Sequence, residues 1–147
     1  MRRLLFLFQI IIFMGQGMFG IFSDADYLKR NCTLNSSMVG FSADFEMVQH
    51  QLRGVISILD GFSFMVTNFD MIEGVEVYWW GGYGDDFENL TNGFIISDEK
   101  LNRTYKNDSM VVRLTNYTLD QFKVLGVWDM ATMSDFGHVL LEGSDDK

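Results

Sequence analysis

An Asp-Gly pair between two runs of strand-forming residues constrains the fold of this chain more than any other feature. Residues 55–59 (VISIL) and 62–69 (FSFMVTNF) are rich in β-branched and aromatic side chains, and Asp60-Gly61 lies between them. Both positions of such a pair tolerate the positive φ of a tight hairpin, so the segment predicts two adjacent antiparallel strands. In the second run, Phe64 and Val66 alternate with more polar residues, which predicts one face turned towards a core.

Similar short runs recur along the rest of the chain at roughly 8–15-residue spacing. Residues 45–52 form an ambiguous first strand, and clearer strands are predicted at 75–80, 94–96, 110–114, 124–128 and 136–141. Residues 97–100 and the capping-box pattern at 118–121 predict single helical turns. Residues 81–93 form a Gly- and acid-rich loop suited to function, and residues 102–109 a polar connection. Many short strands without a long helix indicate an all-β antiparallel sandwich or barrel; we predict a jelly-roll-like sandwich of about seven to nine strands.

The period of two residues along a strand assigns side chains to opposite faces of the sheet. Trp79 and Trp80 are adjacent, so we expect one of them to fill the core and the other to lie outside. If the last strand is regular, Phe136 and His138 share one face and Val139 lies on the other. His138 then favours a buried imidazole with a hydrogen-bond partner, for which Asp129 and Asp135 are the nearest carboxylates in the sequence.

The N-terminus has the pattern of a secretory signal peptide. Arg2 and Arg3 precede the apolar run 4–14, and Gly15-Gln16-Gly17 supplies small residues for cleavage, so we assign residues 1–17 to the signal. The alternative is an uncleaved membrane anchor, although the run is shorter than the ~20 residues a spanning helix needs. We predict a poorly ordered glycosylated leader at 18–42, the β-domain at 43–142 and an acidic tail at 143–147.

The sequons support an extracellular location, and the net charge limits the classes of partner. Six asparagines lie in N-x-S/T sequons and are predicted glycosylation sites on loops or strand ends: Asn31, Asn35, Asn89, Asn102, Asn107 and Asn116. The net charge of −9, without a basic patch in the sequence, argues against nucleic acid and anionic membranes as partners. The single cysteine, Cys32, suggests a disulfide to another chain; an idle thiol is the alternative.

No catalytic constellation stands out, and we predict neither an enzyme activity nor a bound cofactor. Two histidines and one cysteine do not supply a zinc site with ligand spacing. The acidic residues within 84–88 offer oxygen ligands for calcium, and Met47 with His50, or His138 with a methionine, offers axial ligands for haem. These remain alternatives, because solvated acidic loops and methionines in cores are far commoner.

Four segments resemble, in order and spacing, the DM-thirteen domain, a secreted β-module of about 100 residues. They are 77–81 (VYWWG), 93–96 (GFII), 126–128 (GVW) and 135–139 (DFGHV), and the likeness extends over roughly 45–141. The resemblance is greatest to the plant-type version, found in larger proteins with DOMON domains and a transmembrane b-type cytochrome. It implies a β-sandwich and a role in extracellular redox or electron transfer.

The resemblance also exposes one departure from the family pattern. The family's redox role rests on a cysteine directly after the tryptophan, whereas this chain has Asp129 after Trp128. The resemblance carries over Trp128 and His138 as motif positions without a thiol. We therefore predict a secreted, non-catalytic module that binds a protein or a cell-wall or matrix ligand, with DOMON or cytochrome domains as further partners. The alternative is an electron-transfer domain that binds haem or a metal through His138.

Overall fold

Two antiparallel β-sheets pack face to face, which confirms the predicted all-β sandwich. The computed structural model describes residues 36–141, and the following statements concern that part of the chain. One sheet has the strand order β1-β3-β4-β7, and the other has the order β2-β9-β8-β5-β6. The strands are β1 (Ser42–Asp44), β2 (Glu46–Met47), β3 (Arg53–Asp60), β4 (Ser63–Met71), β5 (Val77–Gly82), β6 (Phe94–Lys100), β7 (Tyr105–Arg113), β8 (Val124–Asp129) and β9 (Ser134–Leu140).

The predicted hairpin is formed by β3 and β4, but its turn lies one residue later than the sequence suggested. Asp60 pairs with Ser63, so Gly61 and Phe62 occupy the turn, and neither has a positive φ. The Asp60 carboxylate instead accepts hydrogen bonds from the Phe62 backbone N–H (2.8 Å) and the Ser63 hydroxyl (2.7 Å). The aspartate therefore stabilises this turn through its side chain, as Asx turns do, and not through a left-handed backbone.

An irregularity in β4 keeps its apolar residues in the core. Phe64 and Val66 are fully buried, as their alternation predicted, and strict alternation would then place Asn68 and Asp70 inside. Asn68 has a φ of 51°, and the pairing with β7 shifts between Val66 and Phe69. This bulge moves Phe69 into the core and leaves Asn68 outside, because one extra residue reverses the facing of all that follow.

The core between the two sheets is built from large apolar side chains, centred on Trp79, Phe64 and Phe69. Each such residue stabilises the fold by ~1.5–3 kcal/mol when fully buried. A second, smaller cluster lies on the outer face of the five-stranded sheet. It comprises Trp80, Leu90, Val124 and Trp128.

Three predicted connections differ in the structure. Residues 97–100 continue β6 and form no helical turn, and β7 already begins at Tyr105 within the predicted polar connection. The loop at 81–93 contains a short helix, α1 (Phe87–Thr91), capped by Asp86. The turn predicted at 118–121 is confirmed: a 3-10 helix spans Leu119–Gln121, and the Thr118 N–H donates to the Gln121 side chain.

The sequons at Asn89 and Asn107 are not in loops. Asn89 lies within α1, and Asn107 within β7 with a φ of 50°. Sequence patterns could not show this, because both segments are polar and a short helix or a bulged strand adds no apolar period.

Residues 36–42, predicted to belong to the leader, have defined positions. Met38 is buried in the core, and the hydroxyl of Ser36 donates to Asp120 at 2.8 Å. The predicted signal peptide, Asn31, Cys32, Asn35 and residues 143–147 lie outside the described residues. Between residues 36 and 141, none of the helices is long and apolar enough to span a membrane.

Candidate functional site

The register of β5, β8 and β9 brings the predicted motif residues together on the outer face of the five-stranded sheet. Trp80 pairs with Gly126, which pairs with His138 in the next strand. In the neighbouring row, Trp128 pairs with Asp135. The two tryptophans and the histidine are far apart in sequence, but antiparallel pairing places them in adjacent rows of one face.

A bulge at the start of β9 explains why His138 and Phe136 do not share a face, as a regular strand would require. Val127 pairs with Gly137 and Trp128 with Asp135, so Phe136 is the extra residue. Phe136 and Val139 both pack in the main core, while His138 lies on the outer face. The strand is not regular, so the facing expected of a regular strand does not apply, because one unpaired residue resets the alternation.

Trp80 and Trp128 form a stacked pair beneath helix α1. Their ring centroids are 5.7 Å apart with an interplanar angle of 17°, and the two residues are 6% and 1% exposed. The Trp80 Nε1–H donates to the Leu90 carbonyl oxygen at 2.8 Å, and the Phe87 ring lies 6.3 Å from Trp128. The helix therefore keeps solvent from a pair of indoles on the outside of the sandwich. We call Trp80, Phe87, Leu90 and Trp128 the outer-face cluster.

Trp79 occupies the opposite face and lies in the main core, as expected for the neighbour of Trp80. Its ring is fully buried and contacts Phe64 edge-on at 5.3 Å and Phe69 at 5.5 Å. Its Nε1–H has no hydrogen-bond partner among the described residues. A buried donor without an acceptor costs ~1–3 kcal/mol, so the indole stabilises the core through its packing alone.

We expect Trp79→Phe to cost less stability than Trp80→Phe. Both changes leave a cavity, but the first also removes the unpaired N–H, while the second removes the shorter of the two hydrogen bonds to the Leu90 carbonyl, which keeps the Gly93 N–H at 3.1 Å. The expected losses are about 1–2 kcal/mol for Trp79→Phe and about 3 kcal/mol for Trp80→Phe. Urea unfolding of the two variants measures the difference, and equal losses would show that the hydrogen bond to Leu90 contributes nothing.

His138 and Asp135 form a partly buried pair at the edge of this face. The His138 Nδ1 lies 2.7 Å from Asp135 Oδ2, while Asp135 Oδ1 accepts the Gly137 N–H at 2.9 Å. His138 is 8% exposed, and of the two carboxylates considered from the sequence it contacts Asp135. The hydrogen bond to Asp135 raises the pKa of His138 despite the opposing effect of burial, and the charges of Asp135, Glu46 and Asp85 raise it further.

This pKa direction predicts how stability depends on pH. Because the folded pKa of His138 exceeds its ordinary value of 6.5, its protonation stabilises the fold below about pH 6.5. That contribution is lost as pH rises through the folded pKa, and a tenfold difference in proton affinity between the folded and unfolded chains corresponds to ~1.4 kcal/mol. Asp135→Asn should lower the pKa of His138 and reduce the stability that is lost as pH rises. NMR titration of the His138 ring and unfolding from about pH 5 to about pH 9 measure both, and an unchanged titration would contradict the assignment.

Asp129, the residue after Trp128, is a structural carboxylate. It is 1% exposed and joins two turns. Its oxygens accept the backbone N–H groups of Val75 (2.8 Å), Glu76 (3.2 Å), Ala131 (2.9 Å) and Thr132 (3.3 Å). Burial favours the protonated form, but these four donors outweigh it and lower the pKa of Asp129.

The residues considered for metal or haem do not assemble around one centre. Met47 is half-exposed in β2, whereas the ring of His50 stacks on Phe136 at 3.8 Å. Asp86 caps α1 by accepting the Asn89 N–H at 3.0 Å. Within residues 36–141, no three His, Cys, Asp or Glu side chains are grouped closely enough to hold a metal ion.

Sequence reasoning missed Phe87 and Leu90 as part of the outer-face cluster. Both lie in a segment rich in Gly and Asp that gave the pattern of a loop. The signal that could have found them is the Asp86-x-x-Asn89 spacing, in which an aspartate precedes a potential helical turn.

Comparisons with known proteins match most of the described residues. The family model described as electron transfer DM13 matches residues 44–141. A cytochrome b561, DM13 and DOMON domain-containing protein of Arabidopsis thaliana is 53% identical over 117 residues, which cover 78% of this chain and 13% of that relative. This chain therefore spans only a small part of its relative's length. No solved structure matches.

Proposed function

The chain belongs to the DM13 electron-transfer family, and from this premise we propose that it is a secreted, glycosylated, non-catalytic module accessory to an extracellular redox or cell-surface assembly. The signal-like N-terminus and the sequons support the compartment. The relative's name includes DOMON and cytochrome b561 domains, which supports domains of these kinds as partners. A cell-wall or matrix ligand is the other class of partner that we propose.

The observation that carries the non-catalytic part of the proposal is the environment of Asp129. The thiol redox chemistry implied for the family needs a thiolate at this position that can reach a partner. Here the residue is a carboxylate, is 1% exposed and accepts four backbone hydrogen bonds. These contacts support a role in holding the turn before β5 to the β8–β9 turn.

The alternative, an electron-transfer domain with haem or a metal, draws on one specific observation. Histidines that ligate metals usually donate their other ring nitrogen to a carboxylate, and His138 has such a partner in Asp135. The ring is nearly buried, and further ligands are not grouped beside it among residues 36–141. We therefore rank this function second.

The accessible sequons refine the glycosylation proposal. Asn102, Asn107 and Asn116 are exposed, whereas Asn89 is half-buried and its amide donates to Asp86. A glycan on Asn89 would replace one of the two hydrogens of an amide that is half-buried and already bound to Asp86. We expect Asn102 and Asn116 to be used more fully than Asn89.

Expression of the full chain in a eukaryotic secretory host tests the proposal. We expect protein in the medium, a mass that falls on enzymatic removal of N-glycans, and no absorption band in the visible range after incubation with haemin. A Soret band that survives gel filtration and is lost in His138→Ala would establish the alternative. Retention in the cell without glycans would contradict the secreted module.

A further inference from the structure

A cleft of about 390 Å³ lies at one end of the four-stranded sheet, away from the sheet that carries the outer-face cluster. Its walls come from the start of β3, the end of β4 and the start of β7. Arg53 pairs with Asp70 in the strand register, and Met71 pairs with Tyr105. The cleft is large enough for a small organic molecule and larger than an inorganic ion needs.

Two cations line this cleft, and Asp70 is the one carboxylate in its lining. Arg53 and Lys106 are exposed, and neither makes an ion pair or a side-chain hydrogen bond with any residue in the range 36–141. A third cation, Arg103, lies beside the cleft, with its guanidinium 4.0 Å from the centre of the Tyr105 ring and paired to Asp108 at 2.8 Å. The fold thus brings Arg53 next to Arg103 and Lys106. With Asp70 and Asp108 counted, one positive charge is in excess, and the site favours an anion.

Met71 and Ile72 supply the apolar part of the remaining walls, and the polar part suits a ligand that also carries hydroxyl groups. Gln51 and Thr104 supply neutral polar side chains, and Asp70 supplies an acceptor on the same wall as Arg53. Burial raises the pKa of Tyr105 despite the opposing charge of Arg103, so its phenol stays neutral. An inorganic anion has no donor for the Asp70 carboxylate, whereas a hydroxyl group can donate a hydrogen bond to it.

The backbone around the cleft is held in conformations that side chains other than glycine rarely adopt. Gln51 and its neighbour His50 have φ values of 53° and 54°, and Asn107 has a φ of 50°. The Asn107 N–H donates to Asp70 Oδ1 at 2.8 Å, which fixes the carboxylate at the wall. His50 and Gln51 are the central residues of a β-turn that the hydrogen bond from the Leu52 N–H to the Gln49 carbonyl oxygen (3.2 Å) closes, and this turn sets the position of Gln51 at the cleft.

From the unpaired cations, the neutral polar wall and the volume, we infer that this cleft binds a small hydroxylated carboxylate, the chemistry presented by an acidic sugar. Arg53 and Lys106 would hold the carboxylate, while Gln51, Thr104 and Asp70 would bind the hydroxyl groups. The inference does not depend on the redox context of the proposed function, because the cleft and the outer-face cluster use different sheets.

Glucuronate and glucose differ only in the carboxylate and are suitable probes of the full chain as secreted. In calorimetric or NMR titration we expect glucuronate to bind with a Kd near ~1 mM and glucose about tenfold more weakly or worse. The double variant Arg53→Gln with Lys106→Gln should weaken glucuronate binding by about tenfold. The matched control, Arg113→Gln with Lys123→Gln, removes the same charge from exposed positions elsewhere and should change the Kd by less than about twofold.

Three results would overturn the inference. If glucose bound as tightly as glucuronate, the cations would not recognise the carboxylate. If both double variants weakened glucuronate binding equally, the effect would come from the overall charge of the protein and not from the cleft. Inorganic sulfate that binds as tightly as glucuronate would remove the role of the hydroxyl groups. Titration with a uronate trimer identifies the source of the ligand. Tighter binding of the trimer than of the monomer indicates an acidic polymer, and equal binding indicates a free sugar acid. Both results support recognition of the carboxylate. Secretion and the visible spectrum do not enter these readouts, so the two proposals can fail separately.

Discussion

Replacement of Asp129 by alanine is expected to lower the free energy of unfolding by about 3 kcal/mol. The carboxylate accepts four backbone N–H groups, from Val75, Glu76, Ala131 and Thr132, and alanine leaves them without an acceptor. Water can reach some of these groups, because Ala131 and Thr132 lie in an exposed turn, and this limits the loss. Urea unfolding monitored by tryptophan fluorescence measures the change.

Two matched variants separate the hydrogen bonds from the removal of charge. Asp98→Ala removes an exposed carboxylate that accepts no hydrogen bond within residues 36–141, and it should change stability by less than about 0.5 kcal/mol. Asp129→Asn keeps the shape of the side chain but only one acceptor oxygen, so its loss of stability should lie between those of Asp98→Ala and Asp129→Ala. A loss for Asp129→Ala no larger than that for Asp98→Ala would contradict the structural role.

The effect of Asp129→Ala should also depend on pH in a defined direction. The folded pKa of Asp129 lies below its ordinary value of 3.8, so its contribution is fully present above that value. It is lost as pH falls through the folded pKa, because protonation in the folded state removes acceptor capacity. The difference between the native chain and the variant should therefore shrink below about pH 4. A difference that stays constant down to about pH 2 would show that the ionised form is not the stabilising species.

The second large effect is expected for Gly93→Ala, with a loss of about 3 kcal/mol or more. A Cβ at this position would lie 2.5 Å from the Gly81 carbonyl oxygen and would also clash with the Trp80 Nε1. The carbonyl belongs to the strand backbone and cannot move aside cheaply. Relief of the clash would displace Trp80 and disrupt its hydrogen bond to the Leu90 carbonyl.

Gly82→Ala provides the control for Gly93→Ala. The nearest atoms to a Cβ at Gly82 are the Gly84 carbonyl oxygen at 3.5 Å and Leu90 Cδ2 at 3.7 Å, which are ordinary contacts. We expect this variant to lose less than about 1 kcal/mol and to retain the native tryptophan fluorescence. Equal stability of the two variants would show that α1 and β5 separate easily, and would weaken the assignment of Trp80 to a packed cluster.

The two effects bear on function in different ways. Asp129 supports the non-catalytic proposal, because a residue needed to hold two turns together is not free to react. Gly93 and Trp80 determine whether the stacked indoles stay covered by α1.

The β-sandwich could be predicted from the sequence because its evidence is local. Alternation in Phe64 and Val66 and the opposite faces of Trp79 and Trp80 depend on the two-residue period of a strand. The Asp60 turn depends on a side chain that accepts a hydrogen bond from the backbone two residues later. The capping-box turn at residues 118–121 was predictable for the same reason, since its donor and acceptor are three residues apart.

The errors arose where one inserted residue changes the facing of a strand. Bulges at Asn68 and Phe136 reverse the alternation, and composition does not distinguish an extra residue from a regular one. Helix α1 was missed because five residues are too few to show a helical period, and its stabilisation comes from packing of Leu90 on Trp80 and from the Asp86 cap.

The sequence by itself determined the class of fold, the family and the segment around Trp128 that most resembles the family. Only the tertiary structure decided that Asp129 is a buried acceptor, that His138 contacts Asp135, and that Arg53 and Lys106 line one cleft. The physical reason is the range of the interactions. Strand period and turn chemistry act over two to four residues, whereas strand pairing joins residues such as Trp80 and His138 that are distant in the chain.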